Sequence, residues 1–227
     1  MSEADAAAFQ RDGYLLVRCM WSAEEARDIR AAVARVLADG VNETGVRVLA
    51  PERTPPDLLR VCTGDPMRSA VRAIIGPTVE FLSVKPVVKT ARITAASPWH
   101  QDWPYWKGAH KVSAWIALDR AEIDNGCLRV VAGSHARAWD HHREDSPVGF
   151  GNRVSEEDVV AAFGTGALRS VPMGPGDALF FHDRLLHGSH ANSSGRDRWA
   201  LIPTYRDASV ADDHTLPELW RAPITLG

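Results

Sequence analysis

The chain has 227 residues, of which 45 % are hydrophobic and 24 % charged, with a formal net charge of −3. That length suits one domain with a sizeable core, and the composition is globular, neither disordered nor fibrous. The slight acidity argues against a broad cationic surface for nucleic acid, and no run of 18 apolar residues offers a membrane span. The opening MSEADAAAFQRDGY has acidic residues where a secretion signal needs basic ones. Cys19, Cys62 and Cys127 lie far apart. The expectation is a cytoplasmic protein with reduced thiols.

In chain order, residues 4–12 read as a short helix ended by Gly13, and Tyr14–Val17 as a strand. Ser22 caps a helix over 23–38, with Glu25 completing a capping box and Ala26, Ile29, Val33, Val36 and Leu37 at helical spacing. Residues 40–62, interrupted by Gly40, Gly45, Pro51, Pro55 and Pro56, read as an irregular excursion. Asp65-Pro66 starts a further short helix, with the proline at its first position, and Gly76-Pro77 stops it. From residue 79 the signals are mostly of strands: Val79–Val88, the alternating Lys111–Leu118, and Cys127–Val131 after the turn dipeptide Asn125-Gly126. A polar surface loop is expected over 136–154, a small helix capped by Ser155 to Phe163, and strands at Val171, Ala178–Phe181 and Trp199–Ile202. Helices first, then short strands, predict an α+β chain whose mainly β core is a sandwich or barrel. No glycine-rich phosphate loop follows a strand.

The octet WHQDWPYW at 99–106 holds three of the eight tryptophans. Successive side chains of a strand alternate faces, so an extended 99–103 points His100 and Asp102 together and Gln101 away. Pro98 and Pro104 each favour an extended residue before them. One imidazole and one carboxylate, joined by a second imidazole, make a three-ligand face that leaves positions open on iron(II) for oxygen chemistry. The third ligand has three candidates, His182, His187 and His190, in FHDRLLHGSH. A 2-oxo acid chelating such an iron presents a second carboxylate at its far end, which needs a cationic partner. Arg198, at the head of Trp199–Ile202, can reach into the barrel as that partner.

The blocks FQRDGYLLVR, WHQD, SAWIALDRAEIDNGCLRVVAGSH and GDALFFHDRLLHGSHANSSGRDR occur in this order. Together they resemble the phytanoyl-CoA dioxygenase family of iron(II)/2-oxoglutarate oxygenases, over the opening and residues 80–206. The resemblance implies a double-stranded β-helix (jelly-roll, cupin-like) core at 79–206 in one oxygenase domain spanning 1–227. A helical flank at 1–78 and a tail at 207–227 complete it. It implies His100, Asp102 and His187 as ligands of Fe(II), and Arg198 as partner of the 2-oxoglutarate C5 carboxylate. Ser189 becomes a hydroxyl donor to that carboxylate and Trp115 its neighbour, while Phe81 or Ser83 lines the cosubstrate pocket from the preceding strand. With 2-oxoglutarate and O2, the implied reaction hydroxylates, or otherwise oxidises, an unactivated C–H of a small molecule in specialised metabolism, releasing succinate and carbon dioxide. Related halogenases lack the carboxylate that Asp102 supplies, so oxygenation is expected, not halogenation.

Trp103, Tyr105 and Trp106 then fall near the barrel mouth, where flat apolar faces suit a terpenoid, an aromatic or an amine. Asp183 and Arg184 read as a solvated turn pair, His135 as structural, and His141-His142 as ordinary loop residues. Specificity is expected in 41–60, 136–154 and 207–227. The alternatives are a cupin-type iron enzyme that does not use 2-oxoglutarate and a non-catalytic metal-binding protein of the same fold.

Overall fold

The computed structural model describes the chain except residues 39, 107, 144–151 and 212–221. The elements run α1 (Glu3–Asp12), β1 (Tyr14–Val17), α2 (Ala23–Val36), α3 (Pro56–Thr63), α4 (Met67–Ile75), β2 (Val79–Lys89), β3 (Ser97–His100), β4 (Lys111–Ala117) and β5 (Leu128–Val131). They continue with β6 (His142–Arg143), β7 (Asn152–Arg153), α5 (Glu156–Phe163), β8 (Leu168–Val171), β9 (Ala178–His182), β10 (His187–Ser189), β11 (Arg198–Asp207) and β12 (Ile224–Leu226). Parts of the expected loop 136–154 and tail 207–227 lie outside the described residues.

Local chemistry sets the helical flank. Ser2 with Asp5, and Ser22 with Glu25, form reciprocal capping boxes that satisfy the first backbone donors of α1 and α2. Gly13 ends α1 at φ 77°, where its N–H reaches the Phe9 carbonyl. The excursion is more regular than its prolines suggest: it holds a 3-10 turn at Pro51–Arg53 and the helix α3. Proline is tolerated there because the first N–H groups of a helix have no partner within it, and Leu58 and Cys62 bury completely. The helix α4 begins at Met67, one residue later than expected, with Pro66 as its cap.

Two antiparallel sheets face each other, one ordered β1-β9-β4-β11-β2-β12 and the other β3-β10-β5-β8. This is the jelly roll. The alternation of β4 shows how the layers form. Val112, Ala114 and Ile116 pack outward with Ile29, Val33, Leu58 and Val71 of the helices. Trp115 and Ala117 pack inward with Leu128, Val130 and Val171 of the smaller sheet. Burying each such aliphatic side chain contributes about 1.5–3 kcal/mol, so the helices and the smaller sheet together hold the central strands.

The pairing of β2 with β11 slips by one residue: Thr204 faces Ser83, while Tyr205 faces Phe81. The extra residue, Leu82, makes a bulge that reverses which face the following side chains take. Phe81 therefore turns to the helices and meets Tyr205 at a ring separation of 5.8 Å. Ser83 turns into the sandwich. Of the two residues expected to line the interior cavity, Phe81 does not.

Candidate active site

His100 and His187 are partners across β3 and β10, with ring centres 4.2 Å apart. Each Nδ1 donates to a carbonyl two residues back, His100 to Pro98 at 2.8 Å and His187 to Leu185 at 3.0 Å. That places the proton on Nδ1 and the lone pair on Nε2 in both rings. Both Nε2 atoms face Asp102, whose Oδ1 lies 3.6 Å from His100 and 3.9 Å from His187. The structure thus brings these three residues together at buried positions, in an arrangement able to hold a metal ion. Of the three candidate histidines, His187 is the one here. His190 Nε2 pairs with the Ser170 hydroxyl instead.

Burial by itself raises the Asp102 pKa, but the Lys85 ammonium and then the two imidazoles hold this carboxyl well below the usual carboxylate range. Burial, and then the neighbouring His100 ring, push His187 down to about 4, so its ring is neutral near pH 7.

The local backbone differs from the expected extended run. The strand ends at His100, Asp102 has φ −76° and ψ −28°, and Trp103–Tyr105 form a 3-10 turn. The preference of proline for an extended predecessor yields here because the Asp183 carbonyl accepts from both Asp102 N (2.8 Å) and Trp103 N (3.0 Å), bending the chain.

Asp183 itself is not a solvated turn residue. It is 1 % exposed. Its carboxylate accepts from Trp106 Nε1 at 2.9 Å, Lys111 N at 3.0 Å and His110 Nδ1 at 3.0 Å. Burial raises its pKa, and the hydrogen bond from His110, with the His182 ring beside it, more than offsets this, leaving it at about 2. Arg184 is no solvated partner either. Its guanidinium stacks 4.5 Å from the centre of the Trp103 ring.

Beside His100, Asp102 and His187 lies a cavity of about 630 Å3, within the size range of small-molecule sites. Trp115, Phe181, Leu128 and Ile202 give it apolar walls; Ser83 and Lys85 enter from β2. The segment 42–48 adds Thr44, Val46 and Val48. Tyr105 and Trp106 line the cavity, but Trp103, beneath Arg184, does not. Arg198, at the head of β11, is 1 % exposed, and its guanidinium stands 5.1 Å from the Trp115 ring centre. Burial pushes its pKa down to about 10, so it keeps its charge. Its Nε and Nη1 have no hydrogen-bond partner. Ser189 Oγ accepts from Ser97 N at 3.1 Å, which leaves its own hydrogen to donate.

Sequence reasoning missed Lys85, although Ser83, Lys85 and Val87 share strand parity. It also missed Asp183, whose partners are about seventy residues away in sequence. Gln101 points away from the cavity as expected, and its amide holds Arg137 and Trp139 backbone groups. His141 accepts from Gln101 N, and His135 binds the Gln10 carbonyl.

A jelly roll carrying a buried His-Asp-His group is the architecture of non-haem iron, 2-oxoglutarate-dependent oxygenases. Comparison with known proteins agrees. The profile of the family "Phytanoyl-CoA dioxygenase (PhyH)" matches residues 9–200, so the chain belongs to the phytanoyl-CoA dioxygenase family. Members and structural neighbours of this group are iron- and 2-oxoglutarate-dependent oxygenases of small molecules.

The peroxisomal phytanoyl-CoA dioxygenase of Bos taurus is 25 % identical over 88 % of this chain and 67 % of its own length. The chain spans 64 % and 66 % of the mouse and rat relatives. The L-proline trans-4-hydroxylase of Streptomyces griseoviridis is 30 % identical over 62 % of this chain and 59 % of its own. Among solved structures, the non-haem α-ketoglutarate-dependent carbocyclase SnoK of nogalamycin biosynthesis superposes with a TM-score of 0.78 at 23 % identity, covering 100 % of this chain and 97 % of its own. Among the described residues no helix is long and apolar enough to cross a membrane, and all three cysteines are free.

Proposed function

We propose that the chain hydroxylates an unactivated C–H bond of a small molecule in specialised metabolism, using iron(II), 2-oxoglutarate and O2. His100, Asp102 and His187 hold the iron, and Arg198 pairs with the distal carboxylate of 2-oxoglutarate. The observation that carries this reading is the buried guanidinium of Arg198, charged, with Nε and Nη1 left without partners. A buried charge without a partner is costly, and a guanidinium accommodates a carboxylate at either of its forks, Nε with Nη2 or Nη1 with Nη2.

The donor set fits iron(II) equally well: two imidazoles and one carboxylate. With iron and 2-oxoglutarate bound, dioxygen supplies the oxidant that replaces a C–H hydrogen by hydroxyl, releasing succinate and carbon dioxide. The chain's own residues do the placing. The Pro98 and Leu185 carbonyls fix the ring orientation of the two histidines. Trp115 gives the cosubstrate a flat wall, and Ser189 offers its hydroxyl hydrogen to the carboxylate. The apolar walls limit water beside the metal. Trp106 and Tyr105 face the substrate. Lys85 and Lys111 each stand 5.8 Å from the Trp106 ring centre, so an apolar or aromatic group suits that ring better than a cationic amine. With Asp102 as a ligand, the outcome is oxygenation.

Succinate release, measured with iron(II), 2-oxoglutarate and a panel of small molecules, tests the proposal. Release should occur in the unaltered protein and vanish in His187→Ala. Release that does not depend on iron, or a chlorinated product with chloride supplied, contradicts it.

A further inference from the structure

Lys89 is the last residue of β2 and the register partner of Arg198 on β11. It continues the inward row of Ser83, Lys85 and Val87, the three residues that bring β2 to the cavity. Lys89 is 5 % exposed and Arg198 is 1 % exposed. Two cations thus lie buried on neighbouring strands, and neither forms an ion pair among the described residues. Lys89 Nζ donates to the Ala95 carbonyl, which is a neutral partner. Burial, and then the charge of Arg198, hold the ammonium down to about 7.

The fold makes room for this lysine. Gly126, at φ 95°, packs against its stem, and a Cβ there would lie 2.5 Å from Lys89 Cδ and 3.0 Å from Cε. The Asn125-Gly126 turn therefore suits glycine through its left-handed backbone, through the His190 carbonyl, which a Cβ would meet at 2.9 Å, and through the close passage of the Lys89 stem. A lysine kept inside at this cost, beside an arginine with unpartnered donors, calls for an anion that reaches both.

We infer that Lys89 is a second cationic contact for the distal carboxylate of 2-oxoglutarate, acting beside Arg198. This rests on the 2-oxoglutarate reading above. The competing explanation is structural: Lys89 ties down the turn before β3 through Ala95 and does nothing else.

Two ligands separate the explanations. 2-Oxoglutarate has the distal carboxylate; 2-oxopentanoate has the same chain length and the same chelating end, but ends in a methyl group. Each is titrated anaerobically into the iron(II)-loaded protein by calorimetry, with no turnover involved. Lys89→Met should weaken 2-oxoglutarate binding by about tenfold or more and 2-oxopentanoate by less than about twofold. Lys89→Arg should restore most of the difference. Equal weakening of both ligands, or of neither, overturns the inference. Should the methionine variant fail to fold, Lys89→Gln retains a donor for Ala95 and decides the same comparison. If the unaltered protein itself prefers 2-oxopentanoate or binds neither ligand, the 2-oxoglutarate reading fails, a result separate from any effect of Lys89.

Discussion

Two groups of two histidines and one aspartate lie among the described residues, His100/Asp102/His187 and His110/His182/Asp183, and the donor atoms of each gather within 4.8 Å. Their composition is identical; their surroundings are not. In the first group each histidine spends its Nδ1 hydrogen on a backbone carbonyl, and both Nε2 lone pairs converge on a carboxylate at the edge of a cavity. In the second, the donors are already committed. Arg184 N donates to His182 Nδ1 at 3.0 Å. His110, Trp106 and Lys111 donate to the Asp183 carboxylate, and the His110 side chain is 45 % exposed. The first group therefore leaves lone pairs open toward a metal, as the proposed function requires, and the second anchors the turn that carries Asp102. What decides between a metal centre and a structural node is where the remaining lone pairs and protons go.

Replacing Arg198 with methionine gives the largest expected change at the cosubstrate end. Loss of the charged fork should weaken 2-oxoglutarate binding by about 100-fold while iron(II) affinity stays within a few-fold, as read by calorimetry on the iron-loaded and metal-free forms. An unchanged cosubstrate affinity would remove the reason for burying that arginine.

A smaller effect is expected from the anchoring group. In Asp183→Asn the new amide places a donor against at least one of the donors from Trp106, Lys111 and His110, leaving a buried polar group unsatisfied at about 1–3 kcal/mol. The melting temperature should fall, and iron(II) affinity should drop by about tenfold because the turn carrying Asp102 loosens. Lower stability with no change in iron affinity would show that Asp183 holds the fold but not the ligand.

Much of this was legible in the sequence, though not always for the right reason. The Ser22–Glu25 capping box, the alternation of β4 and the β5 turn follow from local chemistry and appear as expected. His100 and Asp102 do converge, yet through a strand that ends between them and a 3-10 turn, not through two steps of one strand. The sequence carries no local sign of the Asp183 carbonyl that bends the chain there. Asp183 and Arg184 read as surface residues because their neighbours in sequence are polar, while their burial comes from Trp106, Lys111 and Trp103 on distant segments. Phe81 and Ser83 stand as alternatives under the resemblance and share strand parity, until a bulge at Leu82 separates them. The helix α3 was hidden by prolines that a helix accepts in its first turn. In each case the missing information is a contact between segments far apart in the chain.

The most direct test of the central claim compares the two histidine groups by iron(II) stoichiometry, measured by anaerobic equilibrium dialysis. One iron per chain is expected in the unaltered protein and in His110→Ala, and a loss of binding of at least about 100-fold in His187→Ala. Iron retained by His187→Ala, or lost by His110→Ala, would contradict it.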